Sequence, residues 1–135
     1  MISTKLSTFD FSTDIKLARY ILRRIENNKE FEKGLVIFDN KKVHIEHIMP
    51  QIPSDLLEWS VDEETHSEYL WKIGNLTLLL GTKNSSIGNN TFDEKKIGYN
   101  ESDVRITREL VDYKKWDPSS IDFRTSKIIE EFLNL

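Results

Sequence analysis

Apolar positions recur at helical spacing near both ends of the chain and in short β-rich runs between them. After Ser12-Thr13-Asp14, side chains suited to capping a helix start, Ile15, Ala18, Ile21, Leu22 and Ile25 share one face. That spacing predicts a helix over 12–29. Arg19, Arg23 and Arg24 lie beside the stripe and read as a solvated helix face, ahead of any contact with DNA. Near the other end, Asp117-Pro118 offers an N-cap followed by proline at the first helical position. Ile121, Thr125, Ile128, Phe132 and Leu135 then fall on one face of a terminal helix. With a further helix over Thr107–Lys114, the C-terminal helices occupy about 103–134.

The middle of the chain changes period. Leu35-Val36-Ile37-Phe38 and Val43-His44-Ile45-Glu46-His47-Ile48 flank an Asp39-Asn40-Lys41-Lys42 turn, a pattern that predicts a β-hairpin. Pro50 and Pro53 close the second run, because proline cannot donate to a strand ladder. From Ser54 to Tyr69 there are six carboxylates and no Lys or Arg, which predicts a loop and short helix on the outside, away from phosphate. Leu76–Leu80, opened by Gly74-Asn75 and closed by Gly81, fits a buried strand. Periodicity alone also allows a short helix, and the glycines favour the strand. A polar cluster, Asn84 to Asn90, follows. Thr91 and Glu94 then form a capping-box pattern that opens a helix through Lys95 and Lys96. The fold class expected is α+β, mostly helical, with a small antiparallel sheet surrounded by helices.

Composition narrows the chemistry. The chain has 135 residues, 19 basic and 23 acidic side chains, a net charge of −4 and no cysteine. The length suits a single domain over 1–135. The lack of cysteine excludes a disulfide framework, thiolate zinc sites and cysteine nucleophiles. No apolar run approaches the ~20 residues of a membrane span, and the N-terminus lacks the apolar segment of a secretory signal, so the expected compartment is cytoplasmic. A mildly acidic chain argues against a broad nucleic-acid footprint, although a small basic face can sit on an acidic domain.

The most informative stretch is His44-Ile45-Glu46-His47-Ile48-Met49-Pro50-Gln51. An imidazole that can take a proton near neutral pH stands beside a carboxylate that can hold a hard divalent cation. Taken alone, two histidines on a sheet surface are the commoner explanation. Asn75 opens an apolar strand, and Asn84 follows nine residues later. Each amide also has an ordinary use, in turns or helix caps.

As an ordered set these residues resemble the HNH, or His-Me finger, nucleases. More narrowly, they are similar to the C-terminal nuclease domain of GmrSD-type modification-dependent restriction enzymes. The similarity rests on the octet above, on Trp71-x-Ile73-Gly74-Asn75-Leu76-Thr77-Leu78-Leu79, and on Asn84-x4-Asn89-x2-Phe92-x2-Lys95-Lys96-x2-Tyr99. Trp116 and Ile121-x2-Arg124 complete it. The resemblance implies a ββα-metal core over about 34–98 and a metal-dependent DNA endonuclease of an anti-phage restriction system. It implies His47 as general base, Glu46 as metal ligand, and Asn75 as the residue that holds the histidine in place. Asn84 matches the helix ligand, with Asn89 able to replace or assist it, and the role of His44 is open. The family commonly has Asp or His where Glu46 stands. The implied cofactor is one Mg²⁺ or Mn²⁺ ion, ahead of Zn²⁺, and activity should fall as pH drops below the histidine pKa.

Strand alternation would send Glu46 and His47 to opposite faces, so they converge only if the strand bends or ends there. Lys95 and Lys96 are the pair expected on DNA phosphate. Packing by Trp71, Phe92 and Trp116 should replace the cysteine zinc knuckle of many HNH proteins. The resemblance also implies DNA, including modified phage DNA, as substrate, and an upstream ParB-like nucleotide-binding domain as partner, which makes this chain similar to the C-terminal part of a larger protein. Two competing readings are a catalytically inactive HNH-fold module that binds nucleic acid or protein, and a zinc hydrolase built on His44, Glu46 and His47.

Overall fold

The computed structural model describes residues 2–30, 43–81 and 87–135. In chain order the helices are α1 (Ile2–Thr8), α2 (Ile15–Glu30), α3 (Glu63–Tyr69), α4 (Phe92–Asn100), α5 (Arg105–Arg108) and α6 (Pro118–Leu133). The strands are β1 (Val43–His47) and β2 (Leu76–Leu80), and single 3₁₀ turns lie at Phe11–Thr13, Leu56–Trp59, Ile73–Asn75 and Glu109–Asp112. The protein is thus α+β and mostly helical, with a small antiparallel sheet.

Local chemistry sets most of these boundaries. Asp14 Oδ1 accepts from the Leu17 amide at 3.0 Å and starts α2, while Ser12 and Thr13, expected inside that helix, form a separate turn capped by Asp10. The capping box at Thr91 and Glu94 forms as the sequence implies, and Asp117 with Pro118 starts α6. The helix expected over Thr107–Lys114 starts two residues earlier as α5 and then tightens into the 3₁₀ turn at Glu109–Asp112. Its amide donors at Arg105 and Ile106 end on the Glu26 carboxylate, at 2.7 and 2.9 Å, so α2 caps α5 across the fold.

The second run of the expected hairpin is indeed β1, but its described partner is β2, in the register Val43↔Leu80 through His47↔Leu76. The first run, Leu35–Phe38, lies outside the described residues. Alternation along the strands separates two cores. Val43, Leu76 and Leu78 pack with Ile21, Leu22 and Ile25 of α2 and Ile128 of α6. Leu79 faces the second core, which holds Ile48, Met49, Trp59, Phe92, Tyr99 and Trp116. The 54–69 stretch is more inward than its charge suggested, because Trp59 and His66 are buried.

Side chains from the following helices satisfy the carbonyls of β2 and its entry turn. Arg124 of α6 donates to the Gly74 and Leu76 carbonyls, and Thr107 donates to Leu78. Gly74 brings that entry turn onto α6. A Cβ there would collide with the Ile121 carbonyl and the Thr125 hydroxyl, so only glycine permits the approach.

Candidate active site

β1 ends at His47, and the chain bends at Ile48 and Met49. Asn75 produces this bend. Its carbonyl accepts from the Ile48 amide at 2.9 Å, its Oδ1 accepts from the Met49 amide at 2.8 Å, and its Nδ2 donates to the Met49 carbonyl at 3.0 Å. Nδ2 also donates to the Leu70 carbonyl, and Trp116 Nε1 donates to Oδ1. A side chain with 0% exposure thus uses both its amide functions fully. Asn75 grips the backbone just beyond His47, not the imidazole itself. His66 adds a second support, donating from Nε2 to the Pro50 carbonyl at 2.8 Å.

Glu46 and His47 do belong to opposite sheet faces, as alternation requires: Glu46 pairs with Thr77 and His47 with Leu76. Both nevertheless line one cleft of about 370 Å³, because it runs past the end of the strand and takes residues from either side. Its other walls are Pro50-Gln51-Ile52 and Gly88-Asn89. Gly88 has φ +53°, a left-handed turn conformation that costs glycine little, and Asn89 Nδ2 donates to the Ile52 carbonyl at 3.1 Å.

The His47 ring stands edge-on to Trp71, with centroids 4.2 Å apart, and its Nε2 is buried without a protein partner. Desolvation first, and then the charges of Lys95 and His66, push its pKa down to about 4. The imidazole is therefore neutral at pH 7.

Glu46 is buried, and its Oε2 accepts from Lys95 Nζ at 2.9 Å and from the Tyr99 hydroxyl at 2.7 Å. Lys95 Nζ also donates to the His47 carbonyl at 2.9 Å. Burial pushes the Glu46 carboxyl up against the pull of Lys95 and Tyr99, and it pushes the Lys95 ammonium down against the pull of Glu46. Burial also raises the Tyr99 hydroxyl well above its usual value, so it remains a donor.

The expected site residues therefore divide. Glu46, His47 and Asn89 share the cleft, and Asn75 stands behind it. Asn84 lies outside the described residues. His44 is exposed on β1 and does not line the cleft. Lys95, expected on phosphate, has 0% exposure and points inward to Glu46. Lys96 is partly exposed, its ammonium held by the Tyr113 carbonyl at 3.1 Å. The aromatic support takes the expected form in part, with Phe92 and Trp116 rings 5.4 Å apart and Trp71 against His47.

Sequence reasoning overlooked the inward role of Lys95 and Tyr99. Phe92, Lys95 and Tyr99 stand at i, i+3 and i+7 of α4, one helical stripe, and the two apolar members already mark that stripe as buried.

Among the described residues, no three His, Asp or Glu side chains gather in a way that could hold a metal ion, so the zinc reading through His44, Glu46 and His47 has no support in the arrangement. Glu46, whose Oε2 Lys95 and Tyr99 already hold, and the Asn89 amide beside an open cleft would suit a hard divalent cation that keeps water or substrate oxygens as its remaining ligands. His47 lines the same cleft, and its buried Nε2 has no protein partner.

Among the described residues, no helix is long and apolar enough to cross a membrane. No curated relative matches the chain. A family model described as "GmrSD restriction endonucleases, C-terminal domain" matches residues 1–131, from α1 through the cleft to α6. A match over nearly the whole length, including every residue of the cleft, means that the chain belongs to the family of C-terminal domains of GmrSD restriction endonucleases.

Proposed function

We propose that this domain is a metal-dependent endonuclease of the HNH type that hydrolyses phosphodiester bonds in DNA, including modified phage DNA. The observation that carries the reading is that His47 and Glu46 line one cleft, with the buried Nε2 of His47 left without a protein partner. The His47 imidazole takes the proton from a water that attacks phosphorus in line, and the P–O3′ bond breaks on the opposite side. Asn75 fixes the strand end that carries the base, and Trp71 restrains the ring. Glu46, with Asn84 or Asn89, would hold a Mg²⁺ or Mn²⁺ ion. When bound, that ion supplies charge stabilisation at the scissile phosphate and the leaving oxygen. Lys96 is the remaining candidate for phosphate contact. Targeting would come from a ParB-like nucleotide-binding domain or subunit, since the domain's own field is mildly acidic.

The Glu46–Lys95 pair favours a second reading, a fold-retaining module without the reaction, because the carboxylate already has a resident cation. Incubation of supercoiled plasmid and modified DNA with Mg²⁺ or Mn²⁺ separates the two. Cleavage by the parent chain that is lost in His47→Ala supports the nuclease. Cleavage undiminished in His47→Ala removes the base, and no cleavage of either DNA at high protein concentration supports the binding module.

A further inference from the structure

Lys95 is built into the site and not onto its surface. Its ammonium lies 2.9 Å from Glu46 Oε2 and 2.9 Å from the His47 carbonyl, and the side chains of Lys95 and Glu46 are 0% and 6% exposed. Tyr99, one helical turn further along α4, holds the same carboxylate oxygen at 2.7 Å. Both bonds end on Oε2, and Glu46 lines the cleft, so Oε1 is the oxygen left for a cleft ligand.

A buried carboxylate without a countercharge would be costly to keep ionised, and Lys95 offsets part of that cost. The same ammonium makes the pair electrically neutral, and it repels any second cation that shares the carboxylate.

We propose that Lys95 is a positioning residue that holds and neutralises Glu46, so that the cleft retains a divalent cation strongly only when a DNA phosphate brings in further negative charge. This rests on the reading of Glu46 as a metal ligand. Cation and DNA binding are then positively linked, each strengthening the other by the same factor. A merely structural lysine would give the opposite sign on removal, because a loosened Glu46 binds a cation less well.

Mn²⁺ titration of the full chain tests this, read by calorimetry and by paramagnetic broadening of the Trp71 indole signal, which reports on the neighbouring His47. Without DNA, Lys95→Met should bind Mn²⁺ at least tenfold more tightly than the parent chain, and Lys95→Arg should stay within about twofold of it. A folded Lys95→Met with unchanged or weaker Mn²⁺ binding overturns the proposal. If Lys95→Met does not fold, the parent chain decides alone. Its protein-site Mn²⁺ affinity should rise at least tenfold with a cleavage-resistant phosphorothioate duplex, and equal affinity with and without the duplex overturns the idea. Glu46→Gln separates the two levels of inference. Undiminished Mn²⁺ binding in that variant removes the ligand assignment itself, whereas binding lost in Glu46→Gln but not tightened in Lys95→Met removes only the neutralising role of Lys95.

Discussion

The indole N–H of Trp116 donates to the side-chain oxygen of Asn75 across 2.9 Å, and the Met49 amide shares that oxygen. Trp116 comes from the loop before α6, so the grip on the strand end beyond His47 depends on the C-terminal part of the chain. Asn75→Ala leaves the Met49 amide and carbonyl, the Leu70 carbonyl and the Trp116 N–H without this partner. With each lost partner of a buried polar group costing about 1–3 kcal/mol and some relaxation, about 3–5 kcal/mol of stability should go. Urea denaturation checks it, and a loss under about 1 kcal/mol would contradict the clamp.

His47 links stability to pH. Its folded pKa of about 4 lies below its ordinary 6.5, so between those values the unfolded chain binds the proton first. The contribution is complete above the ordinary value and disappears as pH falls through the folded one. It amounts to at most about 3.5 kcal/mol, at roughly 1.4 kcal/mol per pH unit. His47→Gln should flatten the dependence of unfolding free energy between about pH 7 and pH 4 relative to the parent. Parallel curves for the two proteins would show that the His47 ring is not desolvated in the folded chain.

Gly74→Ala places a methyl group against the Ile121 carbonyl and the Thr125 hydroxyl, and most of the opposing surface is backbone. The entry to β2 and α6 must part, at a cost of about 3 kcal/mol or slightly more. A fall in thermal midpoint of several degrees is expected, and since Asn75 is the next residue, DNA cleavage should fall too. An unchanged midpoint would mean that α6 yields freely.

The two adjacent lysines should behave differently towards DNA. Lys96 has a side chain 23% exposed and within reach of solvent, whereas Lys95 is enclosed. Lys96→Ala should weaken DNA binding and lower the slope of log affinity against log salt by about 0.9, the value for one phosphate contact. Lys95→Met, where folded, should leave that slope unchanged. Fluorescence anisotropy at several salt concentrations distinguishes them, and a reduced slope for Lys95→Met would place that ammonium on phosphate after all.

Elements that rest on nearest neighbours in the chain are legible without coordinates: the apolar stripe of α2, the capping box of α4, the Asp117-Pro118 start of α6 and the leucine run of β2. So is the ordered motif that marks Glu46, His47 and Asn75, because it consists of side-chain chemistry at fixed spacing. Partners across the fold are a different matter, and three dimensions were needed to assign them. That β1 pairs with β2 follows from two faces that must each bury apolar side chains, a condition linking segments about thirty residues apart. Lys95 resembles a surface charge along the chain because a local pattern weighs a lysine by its own character. Inside the fold its cost is offset by a carboxylate forty-nine residues away and a strand-end carbonyl beside it, and no window along the chain contains all three.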